Sequence, residues 1–304
     1  MKCIITIGID HGYAAIKTRN FCFASGLVEY EHEPYTKKDV MEYDGRFYVI
    51  GSGRQPLVKD KTVNNNYYLL TLAAIAKELE ARHSSERDIL IAAGLPLTAF
   101  GRESKPFTEY LLRSGKPIDF RYEGKPYTVT IKAVELYPQG YAAILARLSL
   151  INGEPSVVLA DIGGWTVDVM RIDNRRPNAA TCRSLELGTI RCMDEIAEQV
   201  RRRLGLSLSS VQIEAILTDQ PCSVSTEVRR VVLEQGRAYT NRVLSAIAEC
   251  GFDIRSTPVV FMGGGIKLMQ SRLPAGNALC RPIILDDVRI NAAAYERLSE
   301  VANG

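Results

Sequence analysis

Two short turns in this 304-residue chain set a carboxylate and glycine at the end of an apolar stretch: Asp10-His11-Gly12 after residues 4–9, and Asp161-Ile162-Gly163-Gly164-Trp165-Thr166-Val167-Asp168 after residues 156–160. Glycine lets a backbone approach a ligand closely and turn its N–H groups into a concavity, and such nests bind phosphate oxygens. Carboxylates beside phosphate need a cation between them, so Asp10 and Asp161 imply Mg²⁺ held largely through water. One such turn alone reads as an ordinary hairpin. Two of them, in equivalent settings about half a chain apart, point to a duplicated chain whose halves face each other. Gly263-Gly264-Gly265 lies between the apolar run 259–262 and the amphipathic stretch 266–272, where the chain could pass flat against a nucleotide at a helix start.

The elements that must position these turns are of α/β type. Apolar runs of four to eight residues alternate with stretches of helical period. Strands are expected over residues 3–9, 13–19 and 20–25, a meander rather than the strand-to-helix glycine turn of a dinucleotide-binding fold. Residues 28–66 are polar and rich in turn formers, so they read as a small inserted lobe with a hairpin at Asp44-Gly45. The pattern then gives a helix over 69–82, a strand over 89–93, a hairpin at Glu123-Gly124 leading into a strand over 127–134, and a helix over 139–151. The second half opens with a strand over 156–160 and continues through a helix over 190–204. This divides the chain into domain I, residues 1–150, and domain II, residues 151–304, with a helical subdomain over about 190–250.

Composition narrows the function classes. The formal charge is +3, too small for charge alone to grip a nucleic-acid backbone. Arg201-Arg202-Arg203 falls on the 190–204 helix opposite Ile196, Val200 and Leu204, and reads as a solvated or protein-contacting face, so no direct nucleic-acid binding is expected. Seven cysteines without a CxxC pair, and three histidines (His11, His32, His83) far apart in sequence, argue against a disulfide framework and a zinc site. The opening apolar stretch is short for a signal peptide, and no apolar run approaches about 18 residues, so a cytoplasmic protein without membrane contact is expected.

The residues 7–17, Ile-Gly-Ile-Asp-His-Gly-Tyr-Ala-Ala-Ile-Lys, resemble the phosphate-1 motif of the superfamily of actin, heat-shock chaperones and sugar kinases. Residues 159–168 resemble its phosphate-2 motif, and residues 260–265 its adenosine motif. Within that superfamily the chain is most similar to the ParM/StbA group of plasmid-segregation actins, through Gly94-Leu95-Pro96-Leu97-Thr98, Glu135-Leu136-Tyr137-Pro138-Gln139-Gly140-Tyr141, Leu187-Gly188-Thr189 and Asn291-Ala292-Ala293-Ala294-Tyr295. The resemblance implies an actin-like fold, two ribonuclease-H-like domains with mixed sheets flanking an interdomain nucleotide cleft. It implies ATP, with GTP as an alternative, and Mg²⁺ on Asp10 and Asp161. Nucleotide contacts are then expected from Asp10, Gly12, Lys17, Gly163, Gly164, Trp165, Thr166, Gly188, Gly263, Gly264 and Gly265. Glu135 falls where the group keeps a carboxylate that orients the attacking water, and Asp161 shares the catalytic role; Gln139 is a substitute. The implied function is an ATPase that polymerises into dynamic filaments and segregates plasmid DNA through a DNA-binding adaptor. Alternatives are a small-molecule kinase or a nucleotide-sensing scaffold of the same superfamily. His11 departs from the small or polar residue usual after the first aspartate and reads as loop filling; Trp165 stands where a small residue is usual; Asp168 reads as a supporting carboxylate or a hairpin stabiliser.

Overall fold

The computed structural model describes residues 4–53, 55 and 60–303; Cys3 of the expected first strand, positions 54 and 56–59 of the expected lobe, and Gly304 lie outside the described residues. The chain forms two compact units, one from residues up to Arg147 together with those from Val288 onward, the other from Leu148–Asp287.

The first unit contains β1 (Ile4–His11), β2 (Ala15–Lys17), β3 (Cys22–Ala24), β4 (Leu27–Tyr30), β5 (Val40–Tyr43), β6 (Arg46–Ile50), α1 (Asn66–Ala81), β7 (Asp88–Leu95), α2 (Leu97–Leu112), β8 (Ile118–Tyr122), β9 (Lys125–Pro138) and α3 (Tyr141–Leu145). Its described strands order as β3-β2-β1-β7-β9-β8-β5-β6-β4. The central strands β1, β7 and β9 run parallel. Parallel strands covered on both faces read as continuous apolar runs, and here Ile7, Ile9, Ile89 and Ile91 are fully buried. The stretch read as a small inserted lobe joins this sheet: β5 pairs with β8, and the long β9 serves β8 with its first half and β7 with its second. Asp44-Gly45 and Glu123-Gly124 both close hairpins with positive φ at the two central positions, the geometry that matches strand twist.

The second unit contains β10 (Ser156–Ile162), β11 (Val167–Asp173), β12 (Arg176–Leu185), α4 (Thr189–Leu204), α5 (Ser210–Leu217), α6 (Thr226–Glu249), β13 (Val259–Met262), α7 (Ile266–Met269) and β14 (Pro282–Ile284). The strand order is β12-β11-β10-β13-β14. Helices α4, α5 and α6 share a core with the sheet through Ile196, Val200, Ile213, Val232 and Val243. Their ends are chemically marked: Ser209 and Gln212 form a reciprocal cap on α5, Ser225 caps α6, and Gly205 in left-handed conformation ends α4. The duplication expected from the two Asp-x-Gly turns is visible in the strands. β1 is antiparallel to β2 and parallel to β7, and β10 is antiparallel to β11 and parallel to β13.

One boundary differs from the sequence expectation. The last helix, α8 (Ile290–Asn303), belongs to the first unit rather than to a domain II running from 151 to 304. Two glycines let it lie directly on the sheet. A Cβ on Gly8 would stand 2.0 Å from the Ala292 carbonyl oxygen, and one on Gly94 would stand 2.1 Å from the Tyr295 hydroxyl. Glu296, fully buried, accepts a hydrogen bond from the Gly8 N–H at 2.9 Å and from Arg82 at 2.7 Å. Arg82 also donates to Glu78 at 2.7 Å and to the Thr6 carbonyl at 2.9 Å, so one guanidinium holds two buried carboxylates and a strand. Burial alone would push the Glu78 carboxyl up, but donors from Thr18, Asn20 and Arg82 outweigh it and hold it below the usual range. The single helix expected over 139–151 divides into α3 and a 3-10 turn at Leu148–Ile151, and the break falls where the chain leaves the first unit.

Candidate phosphate-binding turns

In the first unit, Asp10 and Lys17 face each other across the β1–β2 ladder. The Lys17 ammonium donates to Asp10 Oδ2 at 3.0 Å, and Asp10 is 3% exposed. Gly12 closes the turn: its N–H donates to the Asp10 carbonyl at 3.1 Å, and its carbonyl accepts from the Ser25 hydroxyl at 2.6 Å. A side chain at Gly12 would meet the Ala15 carbonyl at 2.7 Å and Lys17 Nζ at 3.1 Å, which explains the glycine. His11 fills the loop as expected, but as a core residue. Its ring lies edge-on to Phe107 at 5.2 Å, with Nε2 2.8 Å from Thr71 Oγ1. Burial, then the nearby Lys61 ammonium, lowers its pKa to about 3, so it stays neutral.

The second unit brings three separated segments together. Asp161 and Asp168 occupy the ladder position that Asp10 and Lys17 hold in the first unit. The turn closes through the Gly163 N–H to the Thr166 carbonyl at 2.8 Å, and the Thr166 hydroxyl donates to Asp168 at 2.9 Å. The start of α4 is tied onto this turn. The Gly188 N–H donates to the Trp165 carbonyl at 2.8 Å, Thr189 N–H to Gly163 at 3.1 Å, and Ile190 N–H to Gly164 at 2.8 Å. A Cβ at Gly188 would stand 2.3 Å from Trp165 backbone, so the contact requires glycine. From the other side comes the triple glycine. Gly263, at φ +85°, passes so close to Asp161 that a Cβ would stand 2.3 Å from Oδ1, and a Cβ at Gly265 would meet Ile162 at 2.3 Å and Thr189 at 2.6 Å. Gly264 alone of the three faces open space. Asp161, Gly163, Gly164, Trp165, Thr166, Gly188 and Gly263–Gly265 thus form one cluster, with Asp161 only 4% exposed at its floor.

Glu135 stands apart from Asp10. In the β1-β7-β9 register Glu135 pairs with Ala92, and Ala92 with Gly8, two residues before Asp10. Two strand spacings and two residues of rise separate them by about 10 Å or more. Its carboxylate lies on the side covered by α8, accepting from the Tyr137 hydroxyl at 2.8 Å and Asn303 Nδ2 at 2.9 Å. Burial pushes its pKa up, but the polar groups of Ser299, Asn303 and Tyr137 around it outweigh that and hold it low, so it is ionised at neutral pH. The Gln139 N–H donates to the Leu95 carbonyl at 2.9 Å at the end of the same strand pair.

Among the described residues no group of three or more His, Cys, Asp or Glu could hold an ion directly. Single buried aspartates at two glycine turns instead suit a magnesium ion coordinated mainly by water and phosphate oxygens. Ser25 and Lys61 escaped the sequence reading. The Lys61 ammonium lies over the Tyr13 ring at 5.1 Å and the Tyr67 ring at 5.7 Å, beside the first turn, yet it comes from a polar stretch with no periodic signal.

Known proteins supply an independent view. The family model for the N-terminal domain of actin-like proteins matches residues 8–141, and that for the C-terminal domain of the archaeal MreB-like actin homologue matches residues 159–275. No curated protein matches the chain in sequence. Among solved structures, the archaeal actin homologue Ta0583 in complex with ADP superposes with TM-score 0.78 at 22% identity, covering 98% of this chain and 100% of that one. The 15-stranded ParM filament from Clostridium botulinum gives 0.77 at 18% identity over 98% and 99% of the two chains. ParM of Bacillus thuringiensis with AMPPNP gives 0.71 at 15% identity over 99% of both. With both turn-bearing halves matched by actin-like models and the fold shared along its whole length, the chain belongs to the actin-like proteins.

Proposed function

We propose that this chain is an ATP hydrolase, with GTP as an alternative substrate, that polymerises into nucleotide-dependent filaments. The observation that carries the reading is the pair of glycine turns with aspartates at the same ladder position, one in each unit. Relatives of the same fold are an ADP complex, an AMPPNP complex and a filament, which supports nucleotide binding and self-association here. The further step, segregation of plasmid DNA through a DNA-binding adaptor in the cytoplasm, rests on the ParM-like motifs and on the modest net charge of +3, which suits an indirect connection to DNA.

Phosphoryl transfer depends mainly on positioning and electrostatics. Magnesium, when bound near Asp10 and Asp161, supplies charge neutralisation for the phosphates. In this reading Lys17 places a cation at the first turn, and the N–H groups of both turns and of the Gly263–Gly265 segment orient phosphate and nucleoside. Asp161, at the floor of its cluster, orients water, and Glu135, ionised and held by Tyr137 and Asn303, is the second candidate for that role.

Light scattering on adding Mg·ATP at micromolar protein tests the reading. A rise with ATP, reversed as phosphate is released, is expected; no rise with nucleotide binding intact overturns the filament assignment. A metabolite-dependent burst of ADP without polymer would instead identify a small-molecule kinase. Glu135→Ala should leave assembly intact and slow phosphate release on the order of a hundredfold if Glu135 orients water. Unchanged hydrolysis assigns that role to Asp161 or Gln139.

A further inference from the structure

Tyr67, at the start of α1, is 2% exposed, and its hydroxyl has no hydrogen-bond partner among the described residues. A buried phenol without a partner has given up the hydrogen bonds that water would make, so the group calls for an explanation. Burial first, then the neighbouring Tyr13, Tyr110 and Asp10, pushes its pKa up, so at neutral pH it keeps its proton and is a hydrogen-bond donor. The influence of Asp10 and Tyr13 also locates it, within electrostatic reach of the Asp10-His11-Gly12 turn.

A cation stands over the same side chains. The Lys61 ammonium is 5.1 Å from the centre of the Tyr13 ring and 5.7 Å from that of Tyr67, and it is near enough to lower the pKa of His11. Aromatic faces hold an ammonium through their quadrupoles and leave its charge intact. The Asp60 carboxylate, next in sequence, is engaged by its own turn, accepting from the Thr62 N–H at 2.8 Å and the Thr62 hydroxyl at 2.6 Å. Lys61 also lines a cavity of about 330 Å³ with Leu95, Arg102 and Phe107, which leaves its chain room to move. Lys17, by contrast, lies 3.0 Å from Asp10, and that pair is close to neutral at a distance. Lys61 adds the positive charge at this turn that the pair lacks.

We propose that Lys61 and the Tyr67 hydroxyl together bind the terminal phosphate of a nucleoside triphosphate, and so distinguish the triphosphate from the diphosphate. The proposal rests on the nucleotide reading of the two turns and deepens it. In that reading the Gly263–Gly265 segment of the second unit takes the nucleoside, so the group that reaches the first unit is the far end of the phosphate chain. A phenol O–H and an ammonium are both donors, and a terminal phosphate has acceptor oxygens enough for both. After its release the Tyr67 hydroxyl is again left without a partner.

The test compares binding of ADP and of AMPPNP, each with Mg²⁺, by calorimetry on the full chain at concentrations where sedimentation shows no polymer. Tyr67→Phe should weaken AMPPNP by roughly 10-fold and leave ADP within about twofold. It should not lower the stability of the nucleotide-free protein in denaturant, because the hydroxyl it removes makes no hydrogen bond there. Lys61→Met should weaken AMPPNP by roughly 30-fold and ADP by no more than about threefold, and Lys61→Arg should recover most of the loss. Wild-type protein that binds neither nucleotide overturns the nucleotide reading and this contact with it. Equal losses for the two nucleotides, affinities that match wild type, or a Tyr67→Phe chain that is less stable without nucleotide overturn the contact alone.

Discussion

At the level of single residues, the first two glycines of the triple make a controlled pair. Gly263 sits at φ +85° against Asp161, and Gly264 faces open space. Gly263→Ala should destabilise the second unit by about 1–3 kcal/mol through strain and by displacing the carboxylate. Gly264→Ala should leave stability within about 0.5 kcal/mol of wild type and, under the proposed function, weaken nucleotide binding, because the added methyl enters the open space that the proposed nucleotide would occupy. Denaturant unfolding beside nucleotide titration separates these effects, and a Gly264→Ala chain that binds nucleotide normally would remove the triple glycine from the site. His11 gives a pH prediction. The unfolded chain takes up a proton below about pH 6.5 that the folded chain refuses until about pH 3, so this residue makes stability fall with acid across that window. The slope is about 1.4 kcal/mol per pH unit. His11→Gln should flatten the dependence of unfolding free energy between pH 6 and 4; identical slopes would contradict a neutral buried ring.

At the level of elements, the Glu78–Arg82–Glu296 arrangement ties α1, β1 and α8 together. Arg82→Met would leave two fully buried carboxylates without their shared cation, a loss of about 3–5 kcal/mol. Arg203→Met, which removes an exposed pair with Glu234 on the helical layer, should cost no more than about 1 kcal/mol. Equal effects in chemical denaturation would show that the buried arrangement contributes nothing special. Which elements were legible in sequence follows from the same physics. Strands β1, β10 and β13 announce themselves because buried parallel strands are apolar throughout and end at glycine. Helix α2 does not, since Gly101 and Pro106 interrupt it and only Phe107 and Leu111 are buried. The turns at Asp10 and Asp161 carry a local signal, whereas the Gly188 and Gly263 contacts depend on segments far apart in sequence. Gly8 and Gly94 look like weak points in strands until α8 is seen to need their missing side chains.

For the whole molecule, the placement of α8 predicts asymmetric stability. Removing residues 288–304 should uncover β1 and β7 and strip Arg82 of one carboxylate, while the second unit, continuous from Leu148 to Asp287, keeps its core. Hydrogen exchange followed by mass spectrometry should then show lost protection in peptides from β1 and β7 and unchanged protection in β10 and β13. Loss spread over both units would refute the division. The same placement sets an order of assembly on the ribosome. The second unit is complete once Asp287 has left the exit tunnel, but the first, although begun earlier, needs a helix made after the whole of the second. At about 5–20 residues per second, the first sheet waits many seconds with Gly8, Gly94 and the Arg82 guanidinium uncovered. An actin-like chain built this way leaves the Asp10 turn and its strand without the covering helix until the whole second unit has been made, and that interval is where a chaperone has most to protect.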